Sequence, residues 1–164
     1  MELTHLDHAG AARMVDVSEK RLDARVAVAS GVLRTTAEVI ELLRRDGLPK
    51  GDALATARIA GIMGVKRTPD LVPLCHPIAI TGAAVELRLA DVNAEPPAVH
   101  ITATVKTTDR TGVEMEALTA VAVAGLALHD MVKAVDPAAV LDQVRVERKD
   151  GGKTGSWARP AYDQ

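Results

Sequence analysis

Apolar and polar residues along this chain fall into two rhythms. In residues 98–109 (AVHITATVKTTD), Val99, Ile101, Ala103 and Val105 alternate with His100, Thr102, Thr104 and Lys106. That period of two marks a strand with one buried face and puts His100 on the wetter side. The preceding segment, residues 78–91 (IAITGAAVELRLAD), reads as a second strand, joined to the first as a hairpin by a turn from Asn93 to Pro97. Residues 24–35 (ARVAVASGVLRT) are valine-rich and partly alternating, which predicts a strand interrupted at Gly31. QVRVERK, residues 143–149, predicts the last strand.

The other rhythm is helical. AEVIELLRR, residues 37–45, starts after Thr35-Thr36 and stops at Asp46-Gly47. Lys50-Gly51 makes a turn, and Asp52 can cap ALATARIAGIMGVKR, residues 53–67, whose apolar positions share one broad face. Pro69, Pro73 and Pro77 predict an irregular segment over residues 68–77, because each lacks an N–H and restricts its predecessor. Thr111 and Glu114 fit a capping box at the start of a third helix, expected to run to about Val135 and end before Pro137. The order β-α-α-β-β-α-β predicts an α+β, ferredoxin-like sandwich: a four-stranded, largely antiparallel sheet with helices on one face. We divide the chain into a flexible N-terminal arm (residues 1–20), a single domain (residues 21–150) and a flexible Gly-rich C-terminal tail (residues 151–164).

Composition narrows the function classes. The chain has 164 residues, 48% of them hydrophobic and 26% charged, as in an ordinary globular protein rather than a disordered one. A domain this size buries roughly 70% of the surface of its unfolded chain, so no covalent staple is needed. Twenty basic residues against 22 acidic ones leave a net charge of -2, no electrostatic basis for nucleic-acid binding. Trp157 and Tyr162 are the only aromatic residues, so the stacking platform of single-strand-binding modules is missing as well. No uninterrupted run of about 18 uncharged apolar residues occurs, which argues against a membrane span. The N-terminus lacks the basic-then-apolar pattern of a signal peptide. With the lone cysteine, Cys75, this leads us to expect a cytoplasmic protein.

Four groups of residues could carry chemistry. Asp130 and Lys133 are spaced i, i+3 at the end of the apolar third helix: either a solvated ion pair in the last turn, or an acid/base pair tuned by a low-polarity setting. Glu114 and Glu116 open that helix; Glu114 is accounted for by the capping box, Glu116 only by the helix dipole, and Met115 reads more as core than as ligand contact. Cys75-His76 lacks zinc-site spacing, and sequence neighbours usually diverge in space, so a structural role or substrate contact is preferred to a metal or nucleophilic one. Basic residues concentrate at Arg44, Arg45, Lys50, Arg58, Lys66 and Arg67, against Asp46 and Asp52 alone. Lys50 and Lys153 each lie in a glycine-containing turn where an ammonium could reach a phosphate, or serve as ordinary surface lysines. His5, His8 and His129 read as incidental.

Several blocks together resemble one family. KGDALATARIAGI (residues 50–62), LVPLCHPI (residues 71–78), TGVEMEALTAVAVAGL (residues 111–126) and HDMVKAV (residues 129–135) are similar to the cyclic pyranopterin monophosphate synthase family of molybdenum cofactor biosynthesis, MoaC. MVDVS (residues 14–18) and GGKTG (residues 151–155) fit as well. The resemblance implies a lyase that converts a cyclised dihydro-GTP into cyclic pyranopterin monophosphate with release of diphosphate. It also implies a homohexamer, a trimer of dimers, with active sites at subunit interfaces. By position, Asp130, Lys133 and Lys50 match the family's catalytic residues. Leu74, Cys75, His76, Met115 and Glu116 match its substrate-binding segments, and Arg25, Lys149, Lys153 and Glu114 are further contacts. Val132 and Arg110 depart from the family's frequent Cys and Lys. No protein-held metal or cofactor is implied, although Mg²⁺ could accompany the triphosphate.

The alternative reading is a non-catalytic oligomeric module that binds a small anionic metabolite; a nucleic-acid-binding protein comes third. If the family reading holds, cations from neighbouring protomers converge on the phosphates beside Asp130, and the apolar third helix packs near another subunit.

Overall fold

A computed structural model describes residues 6–7, 9–91, 94–153 and 155–161. Strand β1 (Asp23–Arg34) leads to helices α1 (Ala37–Arg44) and α2 (Ala53–Leu71). A hairpin of β2 (Ile80–Leu89) and β3 (Ala98–Asp109) follows, then α3 (Glu114–Val132), β4 (Val140–Asp150) and β5 (Trp157–Ala158). The strands form one antiparallel sheet in the order β2-β3-β1-β4-β5. The order 2-3-1-4 of the first four is the ferredoxin-like arrangement expected from the element order. The sheet has five strands rather than four, because Trp157 and Ala158, expected in a flexible tail, pair with Lys149 and Arg148.

One face of the sheet makes the core. Ala27, Ala29 and Leu33 of β1 and Val99, Ile101, Ala103 and Val105 of β3 are almost wholly buried, as the alternation requires. They pack against Ala117, Ala120, Val121, Ala124 and Leu128 of α3. His100 stays partly exposed on the other face. The expected break at Gly31 is absent; β1 runs straight through it. A Cβ at Gly31 would lie 2.6 Å from Val121 Cγ1, so the glycine lets α3 approach the sheet. The irregularity falls instead on β4, where the register slips opposite Gly31 and Gln143 takes φ 52°, a bulge.

Three helix boundaries differ from the sequence reading. Thr36 and Asp52 cap α1 and α2 through Val39 N and Ala55 N, as their residue types predict. But α2 continues through Pro69. Proline there removes one bond from the final turn only, and Val72 N closes that turn on the Thr68 carbonyl. The Thr111 capping box does not form. The N-cap is Val113, without a side-chain bond, and Glu114 becomes the first helical residue, its carboxylate turned to Lys149 Nζ at 3.1 Å. At its far end α3 stops at Val132 rather than about Val135. Buried Asp136 fastens the following turn, accepting from Thr35 Oγ1 at 2.8 Å and from Ala138 N at 3.0 Å.

Helix α3 is long and apolar enough by composition to cross a membrane, yet half of its most apolar stretch is buried against the sheet and α2, and it reads as a core helix. Arg58 of α2 reaches over the sheet edge and donates to the Val85 carbonyl of β2 at 3.2 Å. Ala90 N donates to the Ala98 carbonyl where the hairpin closes; Asn93 of the expected turn lies outside the described residues, as do His5, His8 and Tyr162. Within the arm, Leu6 and Ala12 form an isolated antiparallel bridge.

Candidate active site

The fold brings Lys50 to Asp130. The Lys50 ammonium, in the turn before α2, donates to Asp130 Oδ2 at 2.7 Å and to the Asp130 backbone carbonyl at 2.9 Å. Lys133 Nζ lies 2.7 Å from the other carboxylate oxygen, Oδ1. One carboxylate at the carboxyl end of α3 is thus gripped on both oxygens by two ammonium groups. Lys50 also satisfies a carbonyl that the helix end leaves without an intrahelical partner. The two lysines converge within a single chain, whereas the sequence reading drew the cations from neighbouring protomers. Within the single chain the Lys50, Asp130 and Lys133 side chains are 39%, 55% and 53% exposed.

Lys133 first, then Lys50, by hydrogen bonding to the carboxylate, hold the Asp130 carboxyl down from 3.8 to about 2. Near neutrality Asp130 is an anchor for cations rather than a proton acceptor. Because the folded value lies below the unfolded one, the stabilisation is fully present above about pH 3.8 and is lost as pH falls through about 2. Carbonyl-carbon NMR should place the Asp130 midpoint near the lower value in the wild type. The midpoint should move toward 3.8 in Lys133→Met. An unmoved midpoint would mean that the ion pairs do not persist in solution.

The other end of α3 carries a different chemistry. Glu116 is only 3% exposed; burial pushes its carboxyl up and the Glu114 charge adds to this, against its own backbone amide. It lines an open cleft of about 270 Å³ with Val65, Lys66, Pro69, Pro77, Ile78 and Ile80. Cys75 is half-buried, and burial followed by the Glu116 charge pushes its thiol up, the opposite of what activates a nucleophile. His76 Nε2 lies 2.7 Å from the Val15 carbonyl, so Nε2 carries the proton and Nδ1 is left for a ligand. Leu74 and Met115 are exposed, Met115 on the outside of α3 rather than in the core. Among the described residues, no three His, Cys, Asp or Glu side chains converge to hold a metal.

A third group flanks β4. Lys20, Arg21, Arg25, Gly152 and Lys153 line a cleft of about 680 Å³ with Leu22 and Asp23. Arg25 is fixed by donating to the Asp109 and Arg110 carbonyls at 3.0 and 3.1 Å. Gly152 has φ 77°, and a Cβ there would strike the Arg25 guanidinium. Lys149 is engaged with Glu114. Arg110 donates to the Lys20 carbonyl at 2.9 Å, tying the arm to this cleft. Lys20 and Arg21 escaped the sequence reading, although their basic run adjoins β1. By contrast, four of the six basic residues from Arg44 to Arg67 are engaged separately: Arg44 donates to the Ala90 carbonyl just past β2, Arg58 to the Val85 carbonyl, Arg67 pairs with Asp70, and Lys50 holds Asp130.

The first two groups do not meet within one chain. Fourteen residues of α3 separate Glu116 from Asp130, about 21 Å along the axis at 1.5 Å per residue. Such an α+β sandwich, with cation-lined clefts and a lysine–aspartate–lysine group, offers a setting suited to binding a small anionic molecule. The MoaC family model matches residues 14–152, and the chain belongs to the MoaC family. A cyclic pyranopterin monophosphate synthase from Streptomyces griseus is 67% identical over 97% of this chain and 87% of its own length. One from a Nocardioides species is 62% identical over 96% of both. Cyclic pyranopterin monophosphate synthase 2 of Mycobacterium tuberculosis is 59% identical over 96% of this chain and 92% of its own. The fold and family together mark an enzyme of molybdenum cofactor biosynthesis.

Proposed function

We propose that this chain is a cyclic pyranopterin monophosphate synthase, a cytoplasmic phosphorus–oxygen lyase. Its substrate is (8S)-3',8-cyclo-7,8-dihydroguanosine 5'-triphosphate, and its products are cyclic pyranopterin monophosphate and diphosphate. One observation carries the reading: Lys50, eighty residues from Asp130 in sequence, is held at 2.7 Å from its carboxylate opposite Lys133. Closing the cyclic phosphate means that a hydroxyl oxygen of the sugar-derived part attacks the first phosphorus. The bond to the bridging oxygen breaks, diphosphate leaves, and the hydroxyl proton must be taken up. Fixed ammonium groups stabilise the charge that develops on the leaving oxygen. Lys133 lies at the exposed end of α3; Asp130 keeps its charge and aims both lysines.

In this reading Leu74, Cys75, His76, Met115 and Glu116 contact the substrate. Arg25, Lys149 and Lys153 attract the phosphates, Glu114 orients Lys149, and Mg²⁺, where it takes part, arrives with the triphosphate. Because the Asp130 and Glu116 groups lie at opposite ends of α3, a complete site takes one from each of two protomers. That supports association of protomers, as does the apolar surface of Ile59, Met63 and Leu126 on the helical layer, each about 60% exposed; the homohexamer, a trimer of dimers, is what the family resemblance implies.

Incubating the purified protein with the cyclised nucleotide should yield diphosphate and the pterin product; binding without product would overturn the reading in favour of a metabolite-binding module. Glu116→Ala and Lys133→Ala should each be inactive alone. Mixed after dissociation and reassembly, they should regain about a quarter of wild-type activity, as expected when statistical pairing leaves some sites intact. Light scattering that finds only monomers would remove the shared site.

A further inference from the structure

Beside the Lys149–Glu114 pair lies a separate opening of about 470 Å³, lined by Glu114, Val146, Lys149, Ser156 and Trp157. It shares Glu114 and Lys149 with the groups above, but Val146, Ser156 and Trp157 have no role in them. Trp157 is the chain's one tryptophan and is 39% exposed. A two-residue strand at a sheet edge has little stability of its own, yet this one is fastened closely. Trp157 is paired with Lys149, and Arg159 N donates to the Glu147 carbonyl at 2.8 Å. The Arg159 guanidinium stands 5.6 Å from the indole centroid and donates to the Val146 carbonyl at 2.8 Å, while the Glu147 carboxylate lies 3.7 Å away. One face of the ring is thereby covered by a cation that is itself held to the sheet. A stacking partner is left the other face.

The chemistry around that face is mixed in a specific way. Glu114 and Lys149 offer an acceptor and donors, Ser156 a hydroxyl, and the carboxyl end of β4 continues through Gly152 and Lys153 into the basic cleft with Arg25. A flat nitrogen heterocycle carrying a triphosphate matches the two chemistries, an indole for its rings and the cations Arg25 and Lys153 for its phosphates. We propose that Trp157 is a specificity-determining residue that stacks on the fused heterocycle of the substrate. This rests on the synthase reading above. It assigns to one aromatic ring the discrimination that charged clefts cannot supply, because they attract any polyphosphate alike.

A single tryptophan makes its own reporter. Titrating wild-type protein with GTP, the unreacted purine triphosphate, should quench indole emission saturably; tripolyphosphate should compete without quenching. Trp157→Ala should raise KM for the cyclised nucleotide about tenfold, the usual scale for one lost aromatic stack, with a smaller fall in kcat. Trp157→Phe should restore most of the affinity, which loss of folding would not allow. Equal quenching by GTP and tripolyphosphate, or an unchanged KM in Trp157→Ala, overturns the proposal while leaving the synthase reading standing. A wild type that makes no product fails that reading instead, and the GTP titration still decides whether the indole meets a heterocycle.

Discussion

Lys133→Ala is expected to lower kcat by two to four orders of magnitude, the range ascribed to a positioned proton-transfer or charge-stabilising group. The melting temperature should scarcely change. Lys133 makes an exposed i, i+3 pair with Asp130, and such pairs contribute little to stability. Lys50→Ala should be as inactive but measurably less stable, because its ammonium also holds the Asp130 carbonyl at the end of α3. Rapid-quench measurement of diphosphate, set beside calorimetry of the same samples, separates the two effects. A Lys133→Ala enzyme with wild-type kcat would remove the lysine–aspartate–lysine group from the chemistry.

The largest effect on stability is expected at Gly61. It faces α3 from the middle of α2, where a Cβ would lie 2.9 Å from the Ala120 carbonyl oxygen and 3.1 Å from both Ala124 Cβ and Val85 Cγ2. Backbone cannot step aside without moving a helix. Gly61→Val should therefore cost about 2–3 kcal/mol, outweighing its gain in helix propensity. That corresponds to a fall in melting temperature of about 5–10 °C for a chain of this length. Gly125→Val should cost less. Its nearest contacts, at 2.5 and 2.7 Å, are the terminal methyls of Leu141, which can rotate. Differential scanning calorimetry of both variants checks the order, and a Gly61→Val protein as stable as the wild type would mean that the helices do not pack this closely.

Some of this was legible beforehand, and the reasons are physical. The alternation of β3 and the Thr36 and Asp52 caps are local patterns, and they hold in the structure. The Thr111 capping box is also a local pattern, but the spacing that suits Glu at the third helical position does not reveal that Lys149, on a strand far along the chain, draws Glu114 to the first. Pro69 looked like a breaker because its missing N–H is a local fact, whereas its place in the final turn, where little is lost, depends on where the helix ends. Strand β5 gave no periodic signal; two residues are too few. It exists because the edge of β4 offers partners for Trp157 and Ala158.

The site divides in the same way. Asp130 and Lys133 are neighbours on one helical turn, so their pairing followed from spacing. By spacing alone Lys50 is a turn residue, and only the family resemblance groups it with Asp130 and Lys133; of the basic residues around it, tertiary contacts send Arg44 and Arg58 to separate backbone carbonyls, those of Ala90 and Val85. Sequence alone determined the order of the first seven elements, their inner faces and the residue types available for phosphate chemistry, because these depend on period and composition within short windows. The tertiary structure decided which charges meet, that Asp130 is ionised while Glu116 is buried, and that the two ends of α3 lie too far apart to form one site within a chain. Distance and burial are properties of residues remote in sequence, and no local pattern encodes them.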